Sequence, residues 1–157
     1  MRNIVIRLLC PDDHGQWLAM WPDYVDEYIP TEANLAAVWD RLNGDAFTMY
    51  GLVAVDKQSD KLIGFLHYNL HRTTWCEGYE CCVEDVYVEK DFRGQRLFAR
   101  LYSVLREDMV ARGDCRTIYW RTNERNFPAM KAYDRVAKQT NWVRYEDKIM
   151  QTTEKIK

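Results

Sequence analysis

The chain has 157 residues, enough to bury one sizeable core and too few for two ordinary domains, so a single domain over residues 1–157 is expected. Aliphatic, aromatic and cysteine residues make up 47% and charged residues 29%, which excludes a disordered chain, and no apolar run approaches the roughly 20 residues of a spanning helix. The 22 basic and 24 acidic residues leave a net charge of −2, which argues against a generally basic surface; no nucleic-acid or membrane partner is expected.

Residues 3–9, NIVIRLL, read as a strand. The PDDHGQ that follows stops it and offers a helix start at Asp12 or Asp13, and its Asp pair stands where a signal peptide would need a cleavage region. A cytoplasmic protein is the expectation. Trp17, Leu18, Trp21 and Val25 then recur at helical spacing, with Pro22 a kink or boundary. The acidic, aromatic PDYVDEY of residues 22–28 offers Asp23, Asp26, Glu27, Tyr24 and Tyr28 as a wall suited to a cationic amine, although a charge run on a helix is more often a solvated face. A second helix starts at a Thr31 cap and carries Leu35, Val38, Trp39 and Leu42 on one stripe until Asn43-Gly44-Asp45 ends it.

MYGLVAVD and KLIGFLHYNL read as two strands of a hairpin joined by the polar turn KQSDK. His67 and His71 lie on one side of the second strand as substrate-side proton carriers or, more commonly, solvated or core-satisfied histidines. A loop leads to the strand YECCVEDVYV. A helix follows from about Gln95 to Arg112, with Leu97, Leu101, Leu105 and Met109 on one face. TIYWRT is a short strand, residues 126–136 a further helix, and WVRYEDKIM a last strand. The five cysteines, Cys10, Cys76, Cys81, Cys82 and Cys115, form no CxxC pair and have no histidine at ligand spacing, so they read as reduced thiols and no metal site is expected.

The junction DFRGQR, between strand and helix, carries chemistry. A helix leaves its first four N–H groups without internal partners, its dipole adds positive charge there, and Arg93 and Arg96 add more, so a phosphate is suited to the spot. Gly94 lets a ligand approach the backbone closely. For a lone glycine and arginine pair, a solvated turn is the commoner outcome. Just upstream, strand alternation puts Val83, Asp85 and Tyr87 on one face and Glu84, Val86 and Val88 on the other; two adjacent carboxylates in mid-sheet call for a cleft or a partner.

Taken together, EDVYVEKDFRG with its helix, TIYWRTNERN and AMKAYDRV resemble the GNAT superfamily of acetyl-CoA-dependent N-acetyltransferases. The likeness extends over nearly the whole chain and points to the branch with small yeast histone and polyamine acetyltransferases and bacterial relatives. It implies a mixed, mostly antiparallel sheet flanked by helices, acetyl-CoA as co-substrate, an amine acceptor that is a small polycation or a protein lysine or N-terminus, and a homodimer, with residues 142–150 a candidate contact.

The resemblance also implies roles. Val86, Tyr87 and Val88 would hold the pantetheine arm and thioester. Arg93, Gly94, Gln95, Arg96, Leu97 and Phe98 would cradle the pyrophosphate, and Asn126 and Ala129 would contact the cofactor from the next helix. Glu84 matches the base and Tyr133 the acid that protonates the sulfur. Arg96 and Phe98 depart from the family's glycines, where helical dihedrals would suit other residues. They motivate the competing reading of a non-catalytic acyl-CoA-binding or regulatory module. A third class, an unrelated nucleotide binder, lacks GxxxxGK[ST] and GxGxxG.

Overall fold

The computed structural model describes residues 3–25, 30–44, 49–147 and 149. Five strands form one sheet: β1 (Ile4–Leu8), β2 (Met49–Asp56), β3 (Lys61–Arg72), β4 (Tyr79–Val88) and β5 (Cys115–Trp120). They stand in chain order, antiparallel from β1 to β4, and β5 runs parallel to β4 because α3 (Leu97–Arg112) carries the chain back between them.

The sheet is covered on both faces. On one, Leu97, Leu101, Leu105 and Met109 of α3 pack against Leu52, Leu66, Tyr68 and Val83, as the i, i+4 spacing predicts. On the other, Trp17, Met20 and Trp21 of α1 (His14–Tyr24) and Leu35 of α2 (Glu32–Asn43) cover Val53, Val55, Leu62, Phe65 and Tyr87. Each such burial contributes about 1.5–3 kcal/mol. Thr31 caps α2, accepting from the Asn34 N–H at 3.2 Å. Pro22 lies within the last turns of α1, which runs on to Tyr24. The last helix is α4 (Phe127–Tyr133), three residues shorter at its end than the pattern of 126–136 suggests.

Two sequence expectations are corrected. Val83 faces α3 while Tyr87 faces α1, so they do not share a face. The reason is a β-bulge: Tyr68 pairs with Val83 and His67 with Asp85, leaving Glu84 as the extra residue that inverts the alternation. The last strand read from WVRYEDKIM is not formed over residues 141–147. Trp142, Val143 and Tyr145 are 86%, 72% and 92% exposed, so the alternating pattern has neither a ladder partner nor a face to cover. Asp26, Glu27 and Tyr28 of the acidic segment lie outside the described residues, as does Met150.

Candidate active site

The site begins where two parallel strands part. β4 and β5 pair from Tyr79 with Cys115 to Val83 with Trp120, and there the pairing stops while β4 continues to Val88. From Glu84 onward β4 keeps β3 on one side and, among the described residues, has no strand on the other, so backbone groups of Val86, Tyr87 and Val88 line an open edge.

Below that edge lies the start of α3. Gly94 takes φ +76°, and Arg96, the N-cap of α3, takes φ +60°. This corrects the expectation of helical dihedrals at Arg96: the turn needs the left-handed region there, and a non-glycine residue occupies it at a cost of about 1–2 kcal/mol. The Arg96 side chain makes no capping bond, which leaves the first-turn amides of Leu97 and Phe98 directed at the loop with the helix dipole behind them. Gln95 and Arg96 are exposed, and Gln95 is tied to the Asp91 carbonyl. Arg93 folds back, its Nε donating to the Val88 carbonyl at 2.8 Å, and so fastens the turn to the end of β4. The open edge and the uncapped helix start together fit an extended arm that leads into a diphosphate, as the pantetheine of acetyl-CoA does.

The large side chain of Phe98 packs inward. It is 9% exposed and meets Tyr102, Trp120 and Tyr133, the last at 4.8 Å between ring centroids. Tyr133, at the end of α4, is thereby wedged between Phe98 and Trp120, and burial raises its pKa. α4 is set by Asn126, whose Oδ1 accepts from the Ala129 N–H at 3.4 Å while its Nδ2 donates to the Thr122 hydroxyl.

The two carboxylates of the bulge have different settings. Glu84 is on the exposed side, accepting from Asn69 Nδ2 at 2.6 Å and lying 3.6 Å from Arg121. Asp85 is turned toward α1, where Tyr24 donates to Oδ1 at 2.8 Å and the His67 ring lies 3.0 Å from Oδ2. Burial pushes the Asp85 carboxyl up, and the hydrogen bonds from His67 and Tyr24 pull it down. Burial, then the Asp85 charge and hydrogen bond, raises the Tyr24 phenol.

The structure thus brings Tyr133 against Phe98 at the start of α3 and fastens the α3 turn to the end of β4, while Glu84 keeps Asn69 and Arg121 as its partners. It separates the two histidines: His67 is fully buried, and His71 bonds the Tyr119 hydroxyl at 3.0 Å farther along β3. Sequence reading does not single out Trp17 as more than a core residue, because its partner is 50 residues away.

Comparison with known proteins gives the same direction. The Acetyltransferase (GNAT) family model matches residues 10–137. The D-amino-acid N-acetyltransferase HPA3 of Saccharomyces cerevisiae is 28% identical over 151 residues, covering 92% of this chain and 90% of that protein. Ribosomal-protein-alanine N-acetyltransferase from Brucella melitensis shares the fold at a TM-score of 0.74 and 19% identity, covering 92% of this chain and 99% of that one. The aminoglycoside enzyme AAC(6')-Iy, in complex with a CoA bisubstrate analogue, does so at 0.76 and 19% identity, covering 93% and 98%.

Proposed function

The chain belongs to the acetyltransferase (GNAT) family and is an acetyl-CoA-dependent N-acetyltransferase; from that premise we propose that its acceptor is a small primary amine, cationic at neutral pH. The observation that carries this reading is the adjacent pair of carboxylates Glu84 and Asp85 just past the parting of β4 and β5, with the Tyr24 hydroxyl on Asp85. The name of the yeast relative favours a free amine over a lysine side chain or N-terminus of a protein.

Acetyl-CoA, when bound, supplies an activated acetyl thioester. In this reading the α3 turn, with Arg93, Gly94, Gln95 and Arg96 around the amides of Leu97 and Phe98, holds the diphosphate. Val86, Tyr87 and Val88 hold the pantetheine arm along the open edge, with Asn126 and Ala129 closing over it. A primary amine arrives protonated, so Glu84, directly or through water, takes its proton. As the C–N bond forms and the C–S bond breaks, Tyr133 gives its proton to the sulfur. The raised pKa of Tyr133 keeps that proton in place at neutral pH. The free cysteines suit a reducing, cytoplasmic setting, and the exposed Trp142 and Tyr145 suit a homodimer.

Calorimetry with acetyl-CoA, CoA and ATP, followed by thiol release across D-amino acids, diamines and a lysine peptide, tests the proposal. Acetyl-CoA binding of about −8 kcal/mol, none for ATP, and turnover with free amines is the expected result. Turnover with the peptide alone moves the acceptor to proteins, and no turnover with any amine overturns the reading.

A further inference from the structure

A chain of hydrogen bonds runs from the core to the site. Trp17 Nε1 lies 3.0 Å from His67 Nε2, His67 Nδ1 lies 3.0 Å from Asp85 Oδ2, and Tyr24 donates to Asp85 Oδ1 at 2.8 Å. An indole nitrogen is a donor only. His67 Nε2 is therefore the acceptor, and the ring proton sits on Nδ1 and is given to Asp85. A second proton on His67 would have to occupy Nε2 and meet the Trp17 N–H head-on. The ring has no room to escape this: it is fully buried, stacked at 4.5 Å on Phe65 and at 6.1 Å on Trp21. On β2, Gly51 is its near neighbour, with no side chain to offer another partner.

Asp85 is the outer end of the chain. Each of its oxygens accepts one bond, its side chain keeps 26% of its surface exposed, and both bonds favour the ionised form. A buried ion pair is seldom the most stable filling for a core. Here the arrangement does something an apolar filling cannot: it holds a partly exposed carboxylate fixed next to Glu84 in sequence, just past the parting of β4 and β5.

We propose that Trp17 and His67 are a tautomer lock that denies Asp85 a cationic neighbour, so that Asp85 stays an uncompensated anion and docks the ammonium group of the acceptor. Asp85 is a binding residue in this scheme, and His67 and Trp17 are positioning residues that act through it. Glu84 does not serve the same purpose, because Arg121 already faces it. Among the described residues, the charged or titratable groups bonded to His67 and its partner are Asp85 from β4 and Tyr24 from α1, with His14 of α1 stacked on Trp17. The docking role rests on the amine-acetyltransferase reading; the lock itself does not.

Three measurements test it. Nitrogen NMR of His67 in the wild-type protein at neutral pH should show protonated Nδ1 and bare Nε2. With D-lysine as acceptor, Asp85→Asn, which can still bond both neighbours, should raise the amine KM about 30-fold and leave kcat and the acetyl-CoA KM within about twofold. Trp17→Phe frees Nε2 for a second proton, which would set a cation against Asp85, and should raise the amine KM about fivefold, read as a ratio to wild type. An Nε2-protonated or doubly protonated His67 at neutral pH overturns the lock, as does an amine KM left unchanged by Trp17→Phe. An unchanged amine KM in Asp85→Asn overturns the docking role alone. Acetyl-CoA binding without turnover of any amine sinks the acetyltransferase reading and the docking role with it, while the NMR result still decides the lock.

Discussion

Tyr133 packs its ring between Phe98 and Trp120 at the end of α4. Removing only its hydroxyl, Tyr133→Phe, keeps the packing and takes away the proton. The expected loss in kcat is about 10²–10³-fold with little change in acetyl-CoA KM, measured by steady-state thiol release. The pH profile gives a second check. An acid must be protonated to act, and burial raises this phenol, so the alkaline fall in kcat should begin above the ordinary tyrosine value of about 10 and vanish in the variant. The motif spacing marks Tyr133, Glu84 and Asn126 in the sequence because a strand, a turn and a helix start each have local signals. The partner of Asp85 has none: Trp17 and His67 meet across 50 residues, and only the packed core shows that they do.

At the scale of elements, the turn into α3 and the entry into α1 carry the most stored cost. Arg96 holds a left-handed φ that glycine adopts freely, and no capping bond repays it. Arg96→Gly should therefore stabilise the fold by roughly 0.5–1 kcal/mol, a rise of about 2 °C in Tm, while acetyl-CoA affinity falls several-fold for want of a charge beside the diphosphate. Stability gained together with affinity kept would show that Arg96 does not face the ligand. At the other site, Arg7 of β1 grips Asp13, just before α1, with bonds of 2.6 and 2.7 Å, and the Cys10 N–H adds a third at 2.9 Å. Burial raises the Asp13 carboxyl, and these bonds more than offset it, leaving a lowered pKa. A lowered folded pKa gives stability that is complete above the unfolded value of about 3.9 and lost as pH falls through the folded one. Arg7→Met strands a buried carboxylate and should cost about 2 kcal/mol at pH 7 by urea unfolding, the modest figure reflecting the exposed arginine, with the deficit shrinking below pH 4.

For the whole molecule, the alternation that marks β2, β3 and β4 also places the sheet between two helical layers, since period 2 and period 3.6 each leave one legible stripe. It does not reveal the bulge at Glu84, because one extra residue leaves the composition of the strand untouched and changes only which face each neighbour takes. The C-terminal segment is the converse case: WVRYEDKIM alternates like a strand, yet over residues 141–147 no ladder forms within one chain. Among the described residues β5 pairs with β4 alone, so the sheet ends in an edge, and Trp142, Val143 and Tyr145 stand almost fully exposed. In the homodimer proposed above, the alternating apolar segment and the sheet edge would supply the two halves of a strand addition between copies. Light scattering should then give twice the 18.8 kDa chain mass. The double variant Trp142→Lys, Tyr145→Lys should give the chain mass once and keep acetyl-CoA binding, because neither residue touches the α3 turn or β4. A wild-type monomer at micromolar concentration would rule the dimer out, and a dimer that survives both lysines would move the contact elsewhere on the surface.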